Sequence, residues 1–210
     1  MRLILASTSP RRHELLTLLG LPFQVVAPPF VEELMPQCPV DRQVSEFAAG
    51  KARSCVPDHP DALILGSDTL ISLGSEVLGK PRNLSDAEAM LRRMAGRAHT
   101  IFTAVALVSH AREFCDVQVA TVQVVMHAFH EGALAAYLRT GESLGKAGAY
   151  SIQGAGGALI DRIEGDYTAA VGLPLRMVAG MLHRRGMRCP MDVDRLYALK
   201  PYPNWSRFGS

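Results

Sequence analysis

The chain predicts a mixed α/β sheet with helices on its faces. Three observations carry that reading. Short apolar runs suited to buried strands alternate with stretches whose apolar residues recur at helical spacing. The length, 210 residues, suffices for one α/β domain, or two small ones, with a largely buried core. Apolar residues make up 48% of the chain and charged residues 20%, a globular balance rather than a disordered one.

The elements follow in order. Residues 2–6 form a short apolar run of the buried-strand kind. Ser9 then offers an N-cap, and Pro10 suits the first helical position. Leu15, Leu16, Leu18 and Leu19 give that helix its apolar stripe, and Gly20 ends it. Residues 23–27 read as a second strand, followed by a Pro-rich loop carrying Glu32 and Glu33. Across 40–55 the apolar positions Val44, Phe47, Ala48 and Cys55 recur at helical spacing. Residues 61–66 are another buried-strand run, with Asp68 placed at its carboxyl end. Gly74-Ser75, set between Leu70-Ile71 and Val77-Leu78, is expected as a two-residue hairpin turn.

Ser85 is expected to cap a helix running through Ala95. Two long β-rich stretches, 100–108 and 117–126, flank a polar turn at 109–113. Residues 131–139 predict a helix. The Gly-rich stretch 141–157 leads into a strand at 158–163, and a last helix covers 175–185. Residues 1–186 thus form the domain. Residues 187–210, with Pro190, Pro201, Pro203 and Trp205, carry little pattern and are expected as a loosely packed or mobile extension. Tyr197, Tyr202 and Trp205 are its candidate anchors on a partner subunit.

Composition narrows the function. Lys and Arg total 22 against 20 Asp and Glu, a net charge of +2, which excludes a nucleic-acid binder working by bulk electrostatics. No apolar run approaches the roughly 18 residues of a membrane helix, and residues 3–6 are too short for a signal-peptide core, so the expected setting is cytoplasmic. Cys38, Cys55, Cys115 and Cys189 are far apart and form no zinc-type spacing; they read as reduced thiols. His127 and His130 are spaced to share a helical face, but without a His-Glu-x-x-His motif they read as surface histidines.

Three positions depart from what a purely structural sequence would choose. Arg11 and Arg12 fall in the first turn after Ser9, where the helix dipole disfavours cations. With the Ser7 hydroxyl and free backbone N–H groups they compose an anion site suited to phosphate; otherwise they extend into solvent or pair with Glu14. Lys51 lies on or beside the apolar stripe of its helix, either snorkelling at the core edge or facing an anion. Asp68, after a buried strand, is placed to hold a hard cation, to act as a base, or simply to cap a turn. With Glu33 and Lys80 it has the donors to hold Mg²⁺ against a polyphosphate. No Walker A run is present, and Gly154-Ala155-Gly156-Gly157 lacks dinucleotide-fingerprint spacing, so any nucleotide is bound by another architecture.

Taken together, LASTSPRRHELL, Glu32-Glu33, GSDTL, LGKP, LRRMAGRAHTIFTAV, KAGAYSIQG and GDYTAAVGLPL, in that order, resemble the Maf family of nucleoside triphosphate pyrophosphatases. The resemblance implies a mixed sheet in two lobes around a central cleft, akin to the inosine-triphosphatase fold, and frequent dimers. It implies hydrolysis between the α and β phosphates, with a divalent cation, Mg²⁺ or Mn²⁺. Asp68 matches the family's catalytic aspartate and metal site. Ser7, Arg11, Arg12, Glu33, Lys51 and Lys80 match its phosphate- and metal-site residues. Arg11, Thr69 and Gln153 match positions linked to specificity. Ile152-Gln153-Gly154 is similar to the dTTP/UTP branch, whereas a 7-methyl-GTP branch carries Ser-Glu-Gly. The family has also been associated with arrest of septum formation and cell division, so the alternatives are a nucleotide-binding regulator with little activity, or a pyrophosphatase for another nucleotide such as 7-methyl-GTP. Gly145 stands where the family pattern has aspartate.

Overall fold

A computed structural model of the chain describes residues 2–35 and 37–208. One seven-stranded mixed sheet organises the fold, in the order β2-β1-β3-β5-β6-β7, with β4 paired to β3. The strands are β1 (Leu3–Ala6), β2 (Gln24–Val26), β3 (Leu63–Leu73), β4 (Glu76–Leu78), β5 (Ala98–Ser109), β6 (Phe114–Met126) and β7 (Ile160–Glu164). β1 runs parallel to β2 and β3, and every later pairing is antiparallel. The helices are α1 (Pro10–Thr17), α2 (Val40–Ser54), α3 (Leu84–Met94), α4 (Glu131–Leu138), α5 (Tyr167–Val171), α6 (Leu175–Arg184), α7 (Val193–Leu199) and α8 (Trp205–Phe208).

The pleat sorts the strands into two cores. Leu3, Leu5, Leu63, Leu65, Val105 and Leu107 face α1, α3, α5 and α6 in the larger one. Ile4, Ala6, Ile64, Ala104, Ala106 and Val108 face α2, through Val44, Phe47, Ala48 and Ala52, in the smaller. Covering both faces explains why the central strands read as continuous apolar runs rather than alternating ones.

Several expectations are refined. β3 does not stop before Asp68. It continues to Leu73, because Ser67–Ser72 pairs residue for residue with β5 and the ladder satisfies its backbone. Asn83, not Ser85, caps α3, its side-chain oxygen accepting from the Asp86 N–H at 2.9 Å. Ser9 occupies the N-cap of α1, but no side chain caps that helix. His127 and His130 share no helix: the first precedes α4 and the second caps it. The hairpin turn at Gly74-Ser75 forms as expected, with Leu73 opposite Glu76.

The C-terminal segment differs most from its expectation. Instead of trailing loosely, it folds α7 and α8 onto the domain. Trp205 is 1% exposed, stacking on Tyr167 at 5.9 Å and meeting Tyr197 edge-on at 4.9 Å. Asp166 and Thr168, at the start of α5, hold the Tyr197 hydroxyl at 2.8 Å each. The aromatic residues anchor on their own domain, which supplies the apolar partner that the tail lacks by itself.

Candidate active site

The ends of β1 and β4 create the site. β1 terminates at Ala6, opposite Gly66, and β4 joins β3 only from Ile71. Residues 67–70 of β3 therefore have a strand partner only on the β5 side, and a cleft opens there. In α/β sheets such breaks beyond a strand's carboxyl end are where ligands settle. Asp68 stands at this point, 4% exposed.

α2 lies against this part of β3 closely enough to deliver a lysine. A Cβ on Gly66 would come within 2.3 Å of the Ala48 carbonyl, so only glycine permits the approach. Lys51, one turn further along α2, places Nζ 2.5 Å from Asp68 Oδ1 and 2.5 Å from Glu32 Oε1. Glu32 arrives because the ring of Phe30 rests on α2 where Gly50 has no side chain; a Cβ there would overlap the ring at 2.2 Å.

α1 contributes two guanidinium groups with different roles. Arg12 is tied down: its Nε donates to the Gly172 carbonyl at 3.0 Å and its Nη2 to Thr69 Oγ1 at 3.1 Å. Thr69 in turn bonds Thr103 Oγ1 at 3.0 Å. Arg11 has no hydrogen-bond partner among the described residues and faces the cleft. Burial lowers the pKa of both guanidinium groups against the pull of Glu14 on Arg11 and of Asp68 on Arg12. Because no side chain caps α1, its first-turn N–H groups stay open beside them.

The cavity is about 570 Å³, the size of a nucleotide-scale ligand site. Lys80, Gly145, Lys146, Tyr150, Ile152 and Gln153 line its far wall. Tyr150 is fixed from behind by His99, whose Nε2 lies 2.7 Å from the phenol oxygen. Burial pushes the His99 pKa down to about 4, so this imidazole is neutral near pH 7.

Electrostatically the cleft is cationic on balance, with Arg11, Arg12, Lys51, Lys80 and Lys146 around the carboxyls of Asp68, Glu32 and Glu14. Burial raises the Asp68 pKa, opposed by Lys51 and Arg12 and reinforced by Glu32. For Glu32 burial is outweighed by Lys51, Lys80 and Arg12, which hold its carboxyl below the ordinary value. Asp68 Oδ2 is buried with no hydrogen-bond partner. A buried carboxylate oxygen so exposed to cost is oriented toward something the protein itself does not supply.

Of the residues singled out from sequence, the structure gathers Arg11, Arg12, Lys51, Asp68, Thr69, Lys80 and Gln153 around one cavity. Ser7, buried in the turn between β1 and α1, does not line the cavity; its hydroxyl accepts from the Ser9 N–H at 3.2 Å. Glu33 is not brought to the cleft. It lines a separate groove with Phe30, Arg42 and Arg53, and the carboxylate at the site is Glu32. Adjacent residues of an extended segment point opposite ways, so the phase of this loop decides between them. Glu14, Lys146 and Tyr150 also line the cavity and were not singled out; Lys146 and Tyr150 belong to the KAGAYSIQG stretch that resembles the family motif. Gly145 adopts φ +71, and a Cβ there would meet nothing within 4 Å.

No cluster of three or more His, Cys, Asp or Glu suited to a metal occurs among the described residues. The carboxylates of Asp68 and Glu32, joined through Lys51, nevertheless fit Mg²⁺, which takes one or two carboxylates and completes its shell with water and phosphate oxygens. The unpartnered Asp68 Oδ2 is the atom free to serve. The donor set is all oxygen, which suits a hard cation and not zinc.

A mixed-sheet α/β protein whose buried carboxyl sits in a cavity lined by five cations has the chemistry of a polyphosphate-handling protein. The chain belongs to the Maf family: the model of that family, described as Maf-like protein, matches residues 2–185. It is similar to the dTTP/UTP pyrophosphatase of Bacillus velezensis, 42% identical over 83% of this chain and 91% of that one. The dTTP/UTP pyrophosphatase of Moorella thermoacetica is 44% identical, covering 86% and 93%. That of Deinococcus radiodurans is 41% identical, covering 89% and 94%. Among solved structures, the Staphylococcus aureus Ham1 protein aligns at 11% identity with a TM-score of 0.43, covering 61% of this chain and 73% of that one.

Proposed function

We propose that this chain is a nucleoside triphosphate pyrophosphatase that adds water across the α–β phosphoanhydride of dTTP and UTP, giving the monophosphate and pyrophosphate. One observation carries the reading: Arg11, Arg12, Lys51 and Lys80 converge on the cavity that holds the buried carboxyl of Asp68. Relatives that carry the same activity in their names cover nine-tenths of their own length with this chain. Arg11, unpartnered, and Lys80 are the cations for the outer phosphates, while Arg12, braced on Gly172 and Thr69, offers a fixed charge. Asp68, buried at the break beside β1 with Oδ2 free of any protein partner, is the proton acceptor for the attacking water.

Mg²⁺ or Mn²⁺ held by Asp68 and Glu32 would polarise a phosphoryl oxygen and neutralise charge on the leaving group. Lys51 keeps both carboxyls in register for that task. Gln153, on the far wall, is the candidate for the pyrimidine edge, since an amide both donates and accepts. No described helix is long and apolar enough to cross a membrane, and the four cysteines are unpaired, which supports a cytoplasmic setting. A homodimer is the assembly that the family resemblance suggests, to be checked by light scattering.

The experiment is a product assay. Purified protein with Mg²⁺ and UTP should yield UMP and pyrophosphate in equal amounts, and Asp68→Asn should abolish most of that turnover. UDP with inorganic phosphate as products would overturn the assignment.

A further inference from the structure

The residues beyond the family match pack against the walls of the site rather than hanging from the domain. Two of them, two positions apart, grip opposite walls of the cleft. The Tyr202 hydroxyl donates to Glu14 Oε2 at 2.5 Å, on the α1 wall that carries Arg11. Asn204 Nδ2 donates to the Ile152 carbonyl at 2.8 Å and to the Gly154 carbonyl at 3.2 Å. One side-chain amide therefore straddles Gln153, binding the backbone on each side of it.

The support extends further back. Asn204 itself holds φ +61, a conformation asparagine tolerates and most residues resist. Trp205 and Phe208 both stack on Tyr167, whose hydroxyl donates to the Pro203 carbonyl. The turn 203–204 is thus held in place by packing on α5, whose residues Ala170 and Val171 line the cavity. On the other flank, the Ala155 N–H donates to Glu142 Oε1 at 3.2 Å and the Gly157 N–H to the Gly154 carbonyl at 3.1 Å. The segment around Gln153 has no strand ladder of its own, so these few bonds set where its side chain sits.

We propose that Asn204 is a positioning residue for substrate selection: the C-terminal segment 202–208 clamps the backbone of residues 152–154 and so aims Gln153 at the base. The inference rests on the reading of Gln153 as the base contact. It gives a role to Tyr202, Trp205 and Phe208, the buried residues of segment 202–208, which lies outside the family match. An amide donor aimed at two carbonyls fixes both the height and the tilt of the peptide between them. Misplacement of that contact by about an ångström is enough to cost an order of magnitude or more in rate.

The test compares wild type, Gln153→Glu, Asn204→Gly and Asn204→Asp, all as full chains. Glycine adopts the same backbone freely while removing both bonds, and aspartate keeps the size while facing the two carbonyls with an acceptor. Both Asn204 variants should lower kcat/KM for UTP about tenfold. The UTP-to-GTP ratio should fall with it, and Tm should move by less than about 5 °C. Amide hydrogen exchange at Gly154, Ala155 and Gly157 should quicken in the same variants. If Gln153→Glu shifts the ratio and the Asn204 variants do not, the clamp is overturned while the base contact stands. If Gln153→Glu leaves the ratio unchanged, the base reading fails, and exchange alone decides whether the tail holds the segment. Unaltered exchange in both Asn204 variants overturns the clamp in either case.

Discussion

Lys51 reaches from α2 to β3 and sets its ammonium 2.5 Å from Asp68 Oδ1, leaving Oδ2 of the same carboxyl buried without a partner. The pair divides one carboxylate between two tasks. Oδ1 is held by the lysine, which compensates part of the desolvation that burial imposes. Oδ2 is left to act on the ligand. Glu32, on the same ammonium, completes a carboxylate–cation–carboxylate arrangement at the mouth of the cationic cleft.

Replacing the base is the sharpest single change. Asp68→Asn should preserve fold and UTP binding and lower kcat by about 10² or more, the scale of a lost general base. Pyrophosphate release and isothermal titration with UTP read the two effects separately. Turnover within a few-fold of wild type would remove Asp68 from the chemistry.

Arg11 carries no structural bond among the described residues, so its loss should be felt by substrate alone. Arg11→Ala should raise KM for UTP about tenfold, the scale of a charge-assisted hydrogen bond, with Tm nearly unchanged. Arg12→Ala should lower both activity and Tm, because Gly172 and Thr69 lose a partner. Equal behaviour of the two variants contradicts the division of roles.

The two neighbouring glutamates should separate cleanly. Glu32→Gln should raise the Mg²⁺ concentration for half-maximal activity about tenfold, whereas Glu33→Gln should leave it within about twofold, since only Glu32 meets Lys51. A larger effect from Glu33→Gln would place the metal elsewhere.

Gln153→Glu replaces a group that donates and accepts with one that only accepts. A uracil carbonyl would then face a carboxylate, an unpaired contact costing on the order of 1–3 kcal/mol. The kcat/KM ratio of UTP to GTP should fall about tenfold or more. An unchanged ratio assigns Gln153 to structure and not to selection.

His99 should make folding stability depend on acid. Its pKa is about 4 folded, against about 6.5 when exposed, so the unfolded chain binds the proton more readily. The stabilisation from a neutral His99 is complete above about pH 6.5 and is lost as pH falls toward 4, on the order of 3 kcal/mol in all. His99→Gln, which can still bond Tyr150, should lose less stability over that window in urea denaturation. Parallel pH profiles for the two proteins would show that His99 does not titrate there.

Much of this was legible in the sequence, for physical reasons. Leu3 to Ala6 and Leu63 to Leu65 are apolar on both faces because the sheet is covered on both, and that pattern is visible in the sequence alone. Arg11, Arg12 and Lys51 stood out because each opposes a local preference. The continuation of β3 past Asp68 was hidden, since Ser67-Asp68-Thr69 resembles a strand end and only pairing with β5 makes it strand. The choice of Glu32 over Glu33 depends on the Phe30 ring seated over Gly50, a contact between elements far apart in the chain. The tail was illegible for the same reason: Trp205 and Tyr197 have no periodic pattern, and their partners lie in α5.

The most direct test of the whole account is the identity of the products. Wild-type protein, Mg²⁺ and either UTP or dTTP should give monophosphate and pyrophosphate in a one-to-one ratio, at a kcat/KM above that for GTP. Nucleoside diphosphate with inorganic phosphate, or no turnover of any pyrimidine triphosphate, would contradict it.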